Sequence, residues 1–78
     1  MEILEITTDF IKLDQALKKA GLVASGAEAK LLILDGEVRV NDEVCTMRGK
    51  KLVDSDRVSM EGVEFIVSVA GEDQRSGA

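Results

Sequence analysis

The fold is decided by residues 12–41, which read KLDQALKKAGLVASGAEAKLLILDGEVRVN. In the first part of this stretch, apolar residues recur at the three- and four-residue spacing that gives a helix one apolar face. These positions are Leu13, Ala16, Leu17 and Ala20. Gly21 follows them, and glycine readily takes the left-handed backbone conformation that ends many helices. The sequence therefore predicts an amphipathic helix that begins near Leu13 and ends at Gly21.

A second helix is predicted to begin at Ser25. Residues 25–28 read Ser-Gly-Ala-Glu, a capping box in which the serine oxygen accepts a hydrogen bond from a helix N–H group and the glutamate reaches back. The residues from there to Leu34 are mostly leucine, isoleucine and alanine, so we expect this helix to be packed on most of its sides. Gly36 is placed to end it.

A strand and a tight turn are predicted after the second helix. Residues 38–40 alternate between apolar and charged side chains, and Asn41-Asp42 suits a turn into a further strand. A two-residue turn would place Cys45 on the same face as Val38, whereas one more loop residue would place Val44 there. The sequence leaves both registers open, and with them the burial of the thiol.

The two ends of the chain also predict strands. Residues 2–6 are rich in isoleucine and leucine, which suits a short edge strand. Near the other end, Glu61-Gly62 suits a hairpin turn that would pair Met60 with Val63. The apolar alternation of the last strand continues to Val69.

These elements predict one α+β domain over residues 1–70, in which two packed helices accompany a small, mostly antiparallel sheet. A chain of 78 residues can bury only a modest core. Residues 71–78 hold no apolar residue except the terminal alanine, so we expect them to form a disordered tail.

Composition excludes several classes of protein. The chain is 45% hydrophobic, but charged residues interrupt every run that could span a membrane. Acidic residues occupy the first positions, where a secretory signal would have basic ones, so a cytoplasmic location is expected. The single cysteine, Cys45, cannot form an internal disulfide, and we expect it to act as a small hydrophobic side chain.

The usual catalytic side chains are also missing. The chain has no His, Tyr or Trp, so a Ser-His-Asp triad cannot be assembled and no metal site is expected. Asp54 and Asp56 could act as an acid/base pair, but so short a chain builds no deep pocket around them, and a solvated loop is the simpler interpretation. We therefore interpret the chain as non-enzymatic, with no cofactor, no metal and no small-molecule substrate.

The net charge of the chain is acidic, but basic and acidic residues are unevenly distributed along it. The net charge of −5 at first argues against a nucleic-acid partner, because Lys and Arg make most phosphate contacts. Residues 10–52, however, carry eight basic and six acidic side chains, a local charge of +2. Residues 1–9 carry −3 and residues 53–78 carry −4. The positive charge therefore lies within the stretch that decides the fold.

This stretch resembles the S-4-type RNA-binding domain, or αL motif, which is named after a ribosomal small-subunit protein. The resemblance rests on Lys-Leu-Asp at 12–14, on the spacing of Gly21, Ser25 and Gly36, and on Arg-Gly-Lys-Lys-Leu at 48–52. It covers roughly residues 10–68 and is closest in form to the short, stand-alone bacterial members. It implies two packed helices beside a sheet, and a partner that is structured RNA, either ribosomal or tRNA-like, or a ribosomal particle in assembly.

The RNA-facing residues are partly placed by the predicted helices and partly implied by the resemblance. Lys12, Gln15 and Lys19 fall on one flank of the first helix, and Ser25 and Gly26 open the second. The family uses the region of that opening, the next basic position, and further basic groups from the strand and loop. The predicted RNA-binding set is Lys12, Lys19, Ser25, Gly26, Lys30, Arg39, Arg48, Lys50 and Lys51.

Two positions depart from the pattern of the family. Gly26 stands where the broader family usually has Arg, which removes one charge-assisted contact and leaves the backbone N–H groups more open. Ser55 precedes Asp56 where Gly-Asp is usual, and this difference concerns a turn. The first departure and the acidic net charge favour an alternative function, a protein-interaction module on the same fold with a weakened RNA face.

The aromatic content indicates which kind of RNA is bound. Single-stranded RNA is bound by stacking bases on exposed aromatic rings. Phe10 and Phe65 are the only aromatic residues, and we expect both in the core because their neighbours are apolar. Duplex RNA is read mostly by shape and by phosphate and 2′-hydroxyl contacts. Structured RNA is therefore the predicted partner, provided that the basic residues converge on one surface.

Overall fold

The computed structural model describes residues 2–70, so the predicted disorder of residues 71–78 lies outside the described part of the chain. Two strands, two helices and five further strands follow one another along these residues. Their order is β1 (Glu2–Ile6), β2 (Ile11–Lys12), α1 (Leu13–Lys19), α2 (Gly26–Leu34), β3 (Val38–Val40), β4 (Glu43–Val44), β5 (Lys51–Leu52), β6 (Arg57–Met60) and β7 (Val63–Val69).

Five of the strands form one sheet in the order β1-β7-β6-β3-β4. Its pairs are antiparallel except for β1 and β7, which run parallel. β2 and β5 form a separate antiparallel pair. With α1 packed against α2, this arrangement confirms the predicted α+β fold and the position of residues 2–6 at a sheet edge. Neither helix in the described part is long and apolar enough to cross a membrane.

One hairpin has the predicted register, and a second hairpin has a turn of the same kind. Met60 pairs with Val63 across Glu61-Gly62, and both turn residues have positive φ, at 51° and 83°. Asn41-Asp42 makes the same kind of two-residue turn, with φ of 53° and 73°. This backbone matches the twist of the paired strands and favours Asn, Asp and Gly.

The turn at Asn41-Asp42 also decides the position of Cys45. The backbone N–H of Cys45 donates to the carbonyl of Val38 at 3.0 Å. Cys45 therefore lies opposite Val38 and packs, partly buried, against the core, while Val44 is 51% exposed. Of the two registers left open by the sequence, the structure has the two-residue turn.

The ends of both helices follow from their local sequence. Ser25 Oγ accepts from the N–H of Glu28 at 3.2 Å, and Glu28 Oε1 accepts from the N–H of Ala24 at 2.8 Å, one residue before the cap. α1 and α2 both end in a left-handed glycine, Gly21 at φ 80° and Gly36 at φ 79°. The N–H groups of these glycines and of the residues after them donate to carbonyls of the last helical turn, which is the Schellman motif.

The core lies between the helices and one face of the five-stranded sheet. α1 contributes Leu13, Ala16 and Leu17, all at 0% exposure. The sheet contributes the alternate residues of its strands, and Phe65 is its largest buried side chain at 1% exposure. The expectation of a buried Phe65 is therefore confirmed.

The prediction that α2 is packed on most of its sides is wrong. Only Ala29 and Ile33 of this helix are buried, while Leu31 is 65% and Leu34 is 56% exposed. In a domain with one layer of helices on one sheet face, a helix has neighbours along a single stripe. The described part of the chain supplies no further layer to cover the other leucines.

The backbone at Ser55 shows why glycine would suit this position, where the sequence departs from the family. Ser55 has a φ of 78°, which costs a residue with a side chain roughly 1–2 kcal/mol but suits glycine. Neighbouring carboxylates hold this turn, because Asp56 Oδ2 accepts from the N–H of Val53 at 2.8 Å. Asp54 Oδ1 likewise accepts from the N–H of Val69 at 2.9 Å. Both carboxylates considered as an acid/base pair are thus hydrogen-bonded to the backbone.

Replacing Ile33 should test which side of α2 faces the core. Because Ile33 is fully buried, Ile33→Ala should lower the free energy of unfolding by about 2–5 kcal/mol through the lost contacts and the cavity. Leu31→Ala, on the exposed side of the same helix, should change it by about 0.5 kcal/mol or less. Urea unfolding of both variants is the measurement. Equal losses would contradict the burial pattern of α2.

Replacing Ser55 should test the strain at the turn. Ser55→Gly relieves the left-handed backbone but gives the unfolded chain more freedom, so a net gain of up to about 1 kcal/mol is expected. Ser55→Val should destabilise the protein, because a β-branched residue tolerates positive φ poorly. A lower thermal midpoint for Ser55→Gly would mean that the hydrogen bond from Ser55 Oγ to Asp54, at 3.1 Å, matters more than the strain.

Candidate nucleic-acid interface

β2 and β5 bring two lysines together at the beginning of α1. Their antiparallel register places Lys12 directly opposite Lys51. Lys12 is also the residue before α1, and its extended backbone (φ −74°, ψ 148°) lets β2 run directly into the helix. Lys12 therefore precedes the helix, whereas the sequence predicted it on the helix flank.

The loop before β5 is held at the same place by the backbone of α1. The N–H of Leu13 donates to the carbonyl of Lys50 at 2.8 Å, and the N–H of Asp14 donates to the carbonyl of Arg48 at 3.2 Å. The first N–H groups of a helix have no acceptor within the helix, and here loop carbonyls supply one. These helix N–H groups are thereby occupied, so an anion at this end would be met by side chains.

Four basic residues are thus held around the start of α1 by strand pairing and backbone hydrogen bonds. We name them the basic cluster: Lys12, Arg48, Lys50 and Lys51. All are exposed. In residues 2–70 the ion pairs are those of Arg57, with Asp42 at 3.0 Å and with Glu64 at 3.3 Å. Within that range no carboxylate pairs with the basic cluster.

The basic cluster includes two like charges on paired strands. Like charges directly opposite each other on paired strands are destabilising, and Lys12 and Lys51 have that relation. Lys51 extends towards Phe10, with Nζ 4.8 Å from the ring centroid, a distance at which the ring attracts a cation. A bound anion would offset the repulsion further. The arrangement therefore favours an anionic partner at this point.

The structure contradicts the expectation that Phe10 lies in the core. Phe10 is 39% exposed and lines a groove between the β1–β2 connection and α1. It directly precedes the small β2–β5 pair, which lies apart from the main sheet and leaves the ring partly uncovered. A sequence signal was present, because the polar run Thr7-Thr8-Asp9 comes before it.

Lys19 extends the positive surface along α1. Lys19 and Gln15 line the same groove as Lys12, which brings together the three residues that the sequence assigned to one flank. Both Lys19 and Gln15 are exposed. The groove is therefore continuous with the basic cluster through Lys12.

The opening of α2 forms a second group of predicted RNA-binding residues. Ser25, Gly26 and Lys30 are exposed, and Gly26 and Lys30 are four residues apart, on one side of the helix. The N–H groups of Gly26 and Ala27 donate to no atom of the described chain. A Cβ atom added at Gly26 would meet nothing within 4 Å, so this position has room for a side chain.

Arg39 lies apart from both groups. It is exposed in β3 between the buried Val38 and Val40, so it is on the sheet face that turns away from the core. Its cross-strand neighbours are Ser59 and Val44. No hydrogen bond or ion pair within residues 2–70 joins Arg39 to the basic cluster. The predicted set therefore divides into a cluster with Lys19 beside it, the opening of α2, and Arg39 on the outer sheet face.

Comparison with known proteins decides the family. A family model described as the S4 domain matches residues 4–68. The chain belongs to the S4 domain family. This family is the S-4-type family that the sequence resembles, and the match includes part of β1 and most of β7 as well as the helices. The predicted family is therefore confirmed, and with it a domain of the RNA-binding type.

A curated relative of this S4 domain protein comes from Bacillus subtilis (strain 168). Its name is "Probable ribosome maturation protein RlbA", and it is 44% identical over 59 residues. The aligned part covers 76% of this chain and 83% of the relative. The similarity thus extends over most of both proteins.

In residues 2–70 of the present chain, no three potential ligands among His, Cys, Asp and Glu come together to hold a metal ion.

Proposed function

We propose that this S4 domain protein is a non-catalytic, cytoplasmic protein that binds structured RNA and acts in ribosome maturation. Its target would be ribosomal RNA or an assembling ribosomal particle. The observation that carries this proposal is the basic cluster, whose four residues are fixed beside the start of α1 and have no ion-pair partner in residues 2–70. The name of the Bacillus subtilis relative supports the ribosomal part.

The basic cluster suits phosphate contacts for a physical reason. A lysine or arginine that neutralises a phosphate releases condensed counterions, which supplies much of the affinity of nucleic-acid binding. An existing protein ion pair would have to be broken first, and the basic cluster has none in residues 2–70. Its backbone is also fixed before binding, so little ordering of the loop remains to be done.

The acidic remainder of the protein is compatible with this interface. Residues 1–9 and 53–78 carry net charges of −3 and −4, and phosphates are repelled from such surfaces. At physiological ionic strength, charges separated by more than about 8 Å are largely screened. Local charge therefore governs contact, so the acidic flanks weaken the long-range attraction of RNA without preventing binding at the basic cluster.

The geometry gives no support to catalysis by the two aspartates that the sequence analysis considered. Asp54 and Asp56 accept hydrogen bonds from backbone N–H groups and hold the turn before β6. Asp56 also accepts from Asn41 Nδ2 at 3.1 Å. Their positions are accounted for by the fold, in agreement with a binding function.

One observation favours the alternative of a protein-interaction module. Leu31 and Leu34 expose an apolar side of α2, and Val44 is also exposed. A Cβ atom at Gly36, just after α2, would lie 3.7 Å from Val44 Cγ1, so the apolar side of α2 ends beside Val44. Such a patch fits a protein partner better than RNA. The salt dependence of RNA binding distinguishes the two functions.

Removing charge from the basic cluster should weaken binding to all structured RNAs alike. Lys50→Ala with Lys51→Ala should reduce the slope of log K against log salt by roughly one unit or less for each lost phosphate contact. Stability should fall by about 1 kcal/mol at most, chiefly through loss of the Lys51–Phe10 contact. The measurements are RNA titrations between about 50 and 200 mM salt and urea unfolding.

Lys18→Ala is the matched control for the loss of a charge. Lys18 is exposed on α1 but belongs neither to the basic cluster nor to the groove lining. Its removal should change the salt slope less per charge than the cluster substitutions do. If the cluster substitutions left both the slope and the stability unchanged, the RNA site would lie elsewhere and the protein-partner alternative would be favoured.

Restoring the usual family residue at Gly26 should strengthen RNA binding. The backbone there is not left-handed and a side chain meets open space, so Gly26→Arg should fold normally. Its guanidinium would lie beside the free N–H groups that open α2, where a phosphate can dock. We expect a salt slope steeper by up to about one unit, measured by filter binding.

The control for this substitution is Gly26→Gln, which adds a polar hydrogen-bonding side chain, shorter than arginine, and no charge. It should leave the salt slope as in the wild type. Equal effects of Arg and Gln, or a loss of binding with both, would show that RNA does not approach the opening of α2 with its phosphates.

A further inference from the structure

A groove beside the basic cluster has features that phosphate contacts alone do not explain. It is open to solvent and has a volume of about 710 Å³. We name it the Phe10 groove. The lining residues relevant here are Thr7, Asp9, Phe10, Lys12, Gln15 and Lys19.

Phe10 is held in place although its ring is partly exposed. Its carbonyl accepts from Thr8 Oγ1 at 2.7 Å, and the next residue, Ile11, pairs with Leu52 in the small sheet. Lys51 Nζ lies 4.8 Å from the ring centroid. The backbone is thus fixed on both sides of Phe10, and a cation lies over one face of the ring, which leaves the opposite face for a stacked base. A ring fixed in this way can receive a flat partner with little loss of conformational freedom.

We propose that the Phe10 groove receives one unpaired nucleotide of the bound RNA, such as a single-nucleotide bulge, with its base stacked on Phe10. This inference rests on the proposed function and specifies its substrate as structured RNA with an extruded base. RNA sequence is recognised mostly at unpaired nucleotides whose bases stack on aromatic side chains. Phe10 is the exposed aromatic ring of the described chain.

The other lining residues match the remaining parts of a nucleotide. The Gln15 amide and the Thr7 hydroxyl can each donate and accept hydrogen bonds with a base edge, and the Asp9 carboxylate can accept from base N–H groups. Lys12 and Lys19 supply positive charge for the adjoining phosphates. An anion alone would make no use of the ring, and an apolar ligand would leave the lysines without a partner.

The placement of the Phe10 groove relative to the basic cluster supports the same occupant. Lys12 belongs to both, and Lys51 reaches from the cluster to the ring. A duplex whose phosphates lie on the basic cluster would therefore bring a nucleotide extruded from that duplex to the groove. No second surface is needed to position the RNA.

Two hairpin RNAs with the same stem provide the test. One is fully paired, and the other carries a single bulged 2-aminopurine, whose fluorescence falls when it stacks on an aromatic ring. We expect the wild-type protein to bind the bulged hairpin more tightly and to quench the bulge. Phe10→Leu should weaken binding to the bulged hairpin by about fivefold or more, the lower end of the effect of losing one base stack, and should abolish quenching. Binding to the paired hairpin should stay unchanged.

Two further variants separate stacking from folding. Phe10→Tyr keeps an aromatic ring and should retain both the preference and the quenching. Gln15→Ala changes an exposed residue and should reduce the preference for the bulge while urea unfolding stays at the wild-type midpoint. If Phe10→Leu does not fold, the Gln15→Ala result decides.

The outcomes distinguish this inference from the proposed function. If the wild-type protein binds both hairpins equally and the bulge is not quenched, the Phe10 groove takes no nucleotide, while binding to structured RNA stands. If neither hairpin binds at any salt concentration tested, both proposals are overturned. If Phe10→Leu weakens binding to both hairpins alike, Phe10 acts only by positioning Lys51, and the groove proposal is overturned.

Discussion

The arrangement of the basic cluster depends on the hydrogen bonds from the first N–H groups of α1 to the carbonyls of Lys50 and Arg48. A helix of seven residues is marginal by itself, and its first turn lacks internal acceptors. By supplying them, the loop stabilises the helix and is itself held in place. The same contact pairs β2 with β5 and gathers the basic cluster. The loop that supplies acceptors to this short helix therefore also places the charged side chains of the basic cluster.

The small size of the domain determines what remains exposed. With 78 residues there is one layer of helices on one sheet face, and each element can be covered on one side only. The outer side of α2, the outer face of the sheet and the Phe10 ring are therefore left for solvent or a partner. Four basic residues can therefore lie together on one exposed surface of a protein whose net charge is acidic.

The predictable part of the site is the part that depends on neighbours in the sequence. Lys50 and Lys51 are adjacent in the chain, and the motif identified the loop that holds them. The division of the predicted set was not predictable, because it depends on which sheet each strand joins. Arg39 lies in β3 of the five-stranded sheet, whereas Lys12 lies in β2 of the two-stranded sheet. Phe10 was misassigned for a related reason. Its exposure depends on β2 pairing with the distant β5 instead of joining the main sheet.

The sequence by itself determined the helices, their caps and the two-residue turn at Glu61-Gly62. Each of these depends on side chain–backbone chemistry within about five residues, as at Ser25 with Glu28, and at Gly21 and Gly36. Only the tertiary structure decided that β1 pairs parallel with β7, that α2 leaves Leu31 and Leu34 exposed, and that four basic residues converge at α1. These features depend on contacts between distant parts of the chain, where many alternative pairings satisfy the same local preferences and packing of the whole core selects one.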